Sequence, residues 1–135
     1  MPLFTKLGKY NNTALLLLRI GIGGMMMMHG YPKLSGGVAK WGKLGGAMDA
    51  IGIKIFPVLW GFMAAITESI GGLFFVLGLF FRPTSFFLLF TMVVATAMHL
   101  KDGETIMDAS HSIELAVVFL SMFIIGPGRY SVDKD

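Results

Sequence analysis

The apolar residues of this 135-residue chain fall in four long blocks separated by short polar or proline-containing breaks. The first block runs from Thr13 to Lys33, and a polar, Gly-rich stretch follows with Ser35, Gly36, Gly37, Lys40, Lys43, Gly45, Gly46 and Asp49. Ile55 to Phe81 is apolar except for Glu68. Arg82-Pro83 then predicts a tight turn, because proline and the residue before it resist continuing a helix. Pro83 to Leu100 is the third block, and Lys101-Asp102-Gly103-Glu104 opens a polar loop. Ala109 to Ile125 is the fourth, closed by Gly126-Pro127-Gly128. Each block approaches the ~20 residues that cross a bilayer as a helix. The two-residue alternation of a membrane barrel is missing. The pattern therefore predicts an all-α fold, a four-helix transmembrane bundle with spans near 12–34, 55–81, 83–101 and 108–126. A short interfacial segment, Gly36–Lys54, is expected between helices 1 and 2, partly helical and anchored by Trp41. Residues 1–135 form one domain, with both termini on one face.

Composition agrees with this pattern. The chain is 55% hydrophobic and 14% charged, against roughly 25% charged in soluble domains. The bilayer is thus its first partner. The net charge of +3 is small, and the lysines lie mainly near helix ends. That suits headgroup anchoring and excludes nucleic acid as a partner. Cysteine is absent, which excludes disulfides, thiol catalysis and thiolate metal ligation by this chain. Lys6 and Lys9 before an apolar run resemble the start of a signal peptide. Arg19 inside the run and the lack of a small-residue cleavage site point instead to an uncleaved first helix. Lys6, Lys9, Arg82, Arg129 and Lys134 balance Lys33, Lys40, Lys43, Lys54 and Lys101 across the bilayer. The positive-inside rule is tied, and cytoplasmic termini are the working expectation.

Six ionisable residues sit inside or at the edges of these apolar blocks: Arg19, His29, Glu68, His99, His111 and Glu114. Such residues are costly in hydrocarbon, so they usually face a bundle interior and act there. At 1.5 Å per residue, measured from the side carrying the termini, Arg19 lies at roughly 9 Å. Glu68, Glu114, His29, His99 and His111 fall between ~20 and ~26 Å, a slab about 6 Å thick. Small residues mark packed faces. Gly61, Ala64, Ala65, Gly71 and Gly72 share a face with Glu68, and Gly21, Gly23 and Gly24 lie beside Arg19. Thr91, Ala95 and His99 step by four, and His111, Glu114 and Ser121 share one side.

Each residue carries two readings. Arg19 either snorkels to its own headgroups or reaches Glu68, directly or through water. Glu68 is the leading candidate: a carboxylic acid there can hydrogen-bond a carbonyl and pass on a proton, or it can be glue between helices. His111 alone reads as an interfacial residue. Three imidazoles and two carboxylates form an inventory suited to zinc or iron. No compact motif such as H-E-x-x-H is present, so no metal ligand is assigned. Met25–Met28 is a consecutive run that points all round a helix, which suits packing or lipid contact rather than copper.

In order and spacing, these residues resemble the DoxX family of small four-helix membrane proteins. The resemblance covers nearly the whole chain. It rests on Arg19, His29-Gly30 with Lys33, Glu68 with Gly71-Gly72, Leu77-Gly78-Leu79 before Arg82, His99, Glu114, and the closing Gly126-Pro127-Gly128-Arg129-Tyr130-Ser131-Val132-Asp133. The family includes relatives similar to the membrane subunits of thiosulfate:quinone oxidoreductases and others linked to oxidative-stress complexes. The resemblance therefore implies a quinone-facing redox protein of a bacterial-type inner membrane. Glu68 and Glu114 are then the catalytic, proton-handling candidates. Arg19, His29 and His99 are the cofactor-binding ones, with quinone as cofactor. Lacking cysteine, the chain needs a bound cofactor or a soluble redox partner subunit to handle electrons, or serves only as the quinone site. Self-association is a further expectation. Two other classes compete: a non-enzymatic scaffold whose polar core fixes helix packing, and a small-molecule carrier. The missing inverted repeat counts against the carrier. Four spans with adjacent termini predict that Lys6→Cys and Lys134→Cys react with an impermeant thiol reagent from the same side of the membrane. Labelling from opposite sides removes the four-span topology.

Overall fold

The computed structural model describes residues 3–134. Among them the chain is all-helical, with five α-helices and no strand: α1 (Asn11–Ser35), α2 (Gly37–Gly45), α3 (Pro57–Leu77), α4 (Phe81–Lys101) and α5 (Ser110–Ile125). Short 3-10 turns, Thr5–Tyr10 and Gly46–Ile51, precede α1 and follow α2. The stretch Thr5–Ser35, α3 and α4 are long and apolar enough to cross a membrane. α5 is apolar but has 16 residues, so it spans only about 24 Å. The expected partly helical segment between the first two spans is α2 with the Gly46–Ile51 turn. It packs on the start of α3 and then against α4.

α1 and α3 pack closely, because glycine removes the side chains between them. A Cβ on Gly23 would come within 2.8 Å of the Gly72 carbonyl oxygen, and one on Gly30 within 2.8 Å of the Glu68 Cβ. Gly21 and Gly24, on the same helix, meet nothing within 4 Å. Of the expected face of Gly21, Gly23 and Gly24, Gly23 alone meets α3, and the second close contact comes from Gly30, seven residues on. α5 lies along α4, and its Phe119 packs edge-on to Phe75 of α3 at 5.4 Å. Phe75 also stacks against Phe81 at 4.9 Å. With Met26, Leu88, Met92 and Met122 these rings form the core.

The turn between α3 and α4 differs from expectation. Arg82-Pro83 does not break the chain; α4 starts at Phe81 and Pro83 lies in its first turn, where its missing N–H leaves no hydrogen bond unmade. The reversal is at Gly78 and Phe80, both left-handed at φ 68° and 45°. Gly78 ends α3 as helices commonly end, with its N–H and that of Leu79 returning to Phe75 and Phe74 carbonyls. Phe80 is a costly residue for that conformation, and Asp133 compensates. Its carboxylate accepts from the Phe80 N–H at 2.9 Å and the Phe81 N–H at 2.7 Å, capping α4 with a negative charge at the positive end of its dipole. The Val132 and Asp133 N–H groups donate to the Leu77 and Gly78 carbonyls at 3.0 and 2.9 Å. The final segment is thus sewn onto the turn. The Arg129 N–H also bonds Asn12 Oδ1 at 2.8 Å, so the two ends of the described chain meet at one end of the bundle.

Alanine scanning of α1 glycines should separate contact from propensity. Gly23→Ala and Gly30→Ala should lower stability by about 1–3 kcal/mol through overpacking. Gly21→Ala and Gly24→Ala should raise it by about 0.5–1 kcal/mol through helix propensity. Thermal unfolding in detergent reads both signs.

Candidate functional site

The structure distributes the six ionisable residues of the apolar blocks over three places. The first is Arg19, which is 2% exposed. Its Nη1 donates to the Pro127 carbonyl at 2.8 Å, Nη2 to the Tyr130 carbonyl at 2.6 Å, and Nε and Nη2 to the Val76 carbonyl at 3.3 and 2.9 Å. Val76 is in the last turn of α3, where carbonyls have no helical partner and the dipole is negative. Arg19 therefore neither snorkels nor reaches Glu68. It joins α1, the end of α3 and the closing segment. The partner of Glu68 is 14 residues further along α1, at Lys33, about 21 Å from Arg19 along the axis.

The second place is that pair. Lys33 Nζ lies 2.6 Å from Glu68 Oε2. Glu68 is 4% exposed, whereas the Lys33 side chain is 30% exposed. Their meeting follows from the helix contact. Gly30 lets the backbone at Glu68 approach α1, and Lys33 follows it by three residues, on the same side of the helix. Trp41 closes the outer side, its Nε1 donating to the Lys33 carbonyl at 3.1 Å and its ring 4.7 Å from that of Phe62. His29 lies one turn before Lys33, and its ring is 5.6 Å from that of His111 on α5. Both histidines are exposed, so a polar stripe runs from the buried carboxylate to the open edge between α1 and α5.

Glu114 continues that edge rather than entering an interior pocket. It is exposed and has no hydrogen-bond or ion-pair partner among the described residues. The α5 face expected to point inward is the outer one. His111, Glu114 and Ser121 are exposed, and Ser112, Phe119 and Met122 are buried. Polarity misled here because the core is filled by large apolar side chains. α5 is tied to α4 by a hydroxyl pair, Thr96 and Ser112 at 2.7 Å, and by Arg82 Nε, which donates to the Phe123 carbonyl at 3.1 Å.

The third place is the loop after α4. His99 Nδ1 pairs with Glu104, so His99 is committed to its own loop. Lys101 binds Asp49 at 2.7 Å, which ties the segment after α2 to α4. That hydrogen bond, aided by the charges of Lys101 and Lys54, holds the Asp49 carboxyl below the usual carboxylate range. No three His, Cys, Asp or Glu side chains converge as a metal-ligand set among the described residues. Lys33 and Asp133 are the partners that sequence reasoning missed. Lys33 was counted as a headgroup lysine, although its position one turn after His29 and three residues past Gly30 put it on the Glu68 side. Asp133 carried no signal beyond its place in the closing motif.

Arg19→Lys should separate structure from chemistry at the first place. A lysine keeps the charge but not the fork, leaving at least one buried carbonyl unpaired at about 1–3 kcal/mol each. A clear fall in the thermal midpoint in detergent is expected. A variant with wild-type stability removes the joint described here.

The family model described as DoxX matches residues 14–100. That range contains Arg19, Lys33 and Glu68, and ends before α5. The chain is also similar to the inner membrane protein YphA of Escherichia coli (strain K12), 28% identical over 130 residues, which covers 89% of this chain and 88% of that protein. No solved structure matches it.

Proposed function

From the premise that this chain belongs to the DoxX family, we propose that it is a multi-pass inner membrane protein presenting a quinone site at the edge between α1 and α5. The observation that carries this reading is the polar stripe: a buried Glu68 paired with Lys33 at 2.6 Å, continued by His29 against His111 at 5.6 Å on exposed surface. In the bilayer that edge faces lipid, where quinones reside, and two imidazoles and an ammonium supply donors for quinone carbonyls. His111 takes the place expected of His99, whose Nδ1 is engaged by Glu104. Quinone reduction consumes two electrons and two protons. Glu68 and Glu114 exchange the protons, and a soluble redox partner supplies the electrons. Arg19 acts on the site only through the frame it holds. In this reading α5 completes a fourth crossing and the termini are cytoplasmic, and self-association remains an expectation. YphA's inner-membrane name supports the location.

A structural role is the second reading, favoured by one observation. Glu68 is already partnered by Lys33, and two surface grooves lie away from the edge between α1 and α5, one beside Trp41 and one beside Arg19 and Arg129.

Glu68→Gln distinguishes the two. Gln can still accept from Lys33 but cannot exchange a proton. Quinone reduction with the cognate donor or a dithionite-type surrogate should fall by about 10²-fold, with the protein folded and its thermal midpoint little changed, since the half-exposed Lys33 can turn to water. Full activity in the folded variant moves the assignment to a scaffold.

A further inference from the structure

The groove beside Arg19 and Arg129 lies away from the edge assigned to quinone, at the end of the bundle where the chain closes. It has a volume of 490 Å³ and runs between α1, the last turn of α3 and the closing segment. Its two charged lining residues are both arginines, Arg19 and Arg129, and no carboxylate lines it.

Hydrogen bonding satisfies Arg19 but leaves its charge. All of its partners are neutral carbonyls, and it forms no ion pair among the described residues. The negative end of the α3 dipole offsets about half a unit of that charge. Arg129 is exposed. Its backbone N–H bonds Asn12, but its guanidinium has no hydrogen-bond or ion-pair partner among the described residues, and neither has the Tyr130 hydroxyl. Asp133, the acid closest in sequence, is committed to the Phe80 and Phe81 N–H groups and stands outside the lining. The groove therefore holds roughly 1.5 positive charges without a balancing anion.

The rest of the lining is mainly apolar. Leu16 and Ile20 stand one turn apart on α1, Leu77 ends α3, and Val132 belongs to the closing segment. Ile20, Leu77 and Val132 are exposed. From Leu16 to Ile20 the groove descends about 6 Å along α1. Cationic donors thus sit beside an apolar track that starts at the headgroup level.

We propose that this groove binds one anionic phospholipid of the surrounding bilayer. Arg129 and the Tyr130 hydroxyl hold the phosphate, a guanidinium being suited to paired hydrogen bonds with its oxygens. Arg19 adds its uncompensated charge from beneath, and an acyl chain follows Leu16, Ile20 and Leu77. Charge complementarity selects the headgroup, and the apolar track selects a molecule with a chain over a free anion.

Native mass spectrometry of the detergent-purified full chain, titrated with phosphatidylglycerol and with phosphatidylcholine of the same acyl chains, tests this. Wild type should bind phosphatidylglycerol about tenfold more tightly, and Arg129→Gln should reduce the preference to about twofold. Lys43→Gln, which removes an exposed cation from α2 instead, should leave the preference unchanged. Ile20→Trp, which fills the groove, should weaken both lipids by about fivefold. Inorganic phosphate at millimolar concentration should displace neither. Equal binding of the two lipids by wild type overturns the proposal. So does a preference that survives in Arg129→Gln, an equal loss in Lys43→Gln, full binding by a folded Ile20→Trp, or displacement by phosphate alone. The Arg129 side chain is exposed and unpartnered, so its variant reads the site even where Ile20→Trp fails to fold.

Discussion

A guanidinium with three carbonyl partners governs this bundle. Arg19 is nearly inaccessible, and a buried cation without partners would be intolerable in hydrocarbon. Its donors are met by the Val76, Pro127 and Tyr130 carbonyls, which come from the end of α3 and from the closing segment. Those carbonyls have no helical partner of their own, so cation and carbonyls satisfy each other. The geometry then dictates the rest of that end. Ser131 must lie against Gly78, where any Cβ would collide with it, and Asp133 must reach the first N–H groups of α4. Loss of any one of these partners leaves several polar groups unmatched at once.

The contact between α1 and α3 obeys a different constraint, the absence of side chains. Gly23 and Gly30 bring α1 and α3 close enough that backbone meets backbone, and that proximity puts Glu68 within reach of Lys33. The candidate chemistry thus depends on packing. A carboxylate that would be isolated at a wider helix separation gains a partner from the neighbouring helix. The remainder of the stripe, His29, His111 and Glu114, lies outside this contact and is free to meet lipid or ligand.

Hydropathy was sufficient to locate the long helices within a few residues, because crossing hydrocarbon demands runs of apolar residues whatever the tertiary contacts. It also exposed Arg19 and Glu68, which stand out against those runs. It failed where the deciding partner is distant in sequence. Depth arithmetic put Arg19 and Glu68 on converging courses, but long side chains choose partners by direction, and Arg19 turns towards the tail. Proline suggested a break at Arg82-Pro83, whereas the first turn of a helix accepts it and the reversal fell on Gly78 and Phe80. Polarity suggested that Glu114 points inward. In α5 the inward positions belong to Phe119 and Met122, whose volume the core requires.

The spacing of the Arg19 partners has a consequence for how the protein is made. Val76 is 57 residues after Arg19, and Tyr130 is 111 residues after it. At cellular elongation rates the last carbonyl emerges roughly 5 to 20 s after the guanidinium that needs it. Until Val76 is in place α1 is an apolar helix with an unpaired charge whose side chain must bend back to the headgroups, and its donors are fully met only when the tail arrives. The first helix is therefore the least secure part of a nascent chain and becomes the most firmly held part of the finished one. A ribosome that stalls before Pro127 leaves a membrane protein whose first helix is still exposed to extraction and proteolysis.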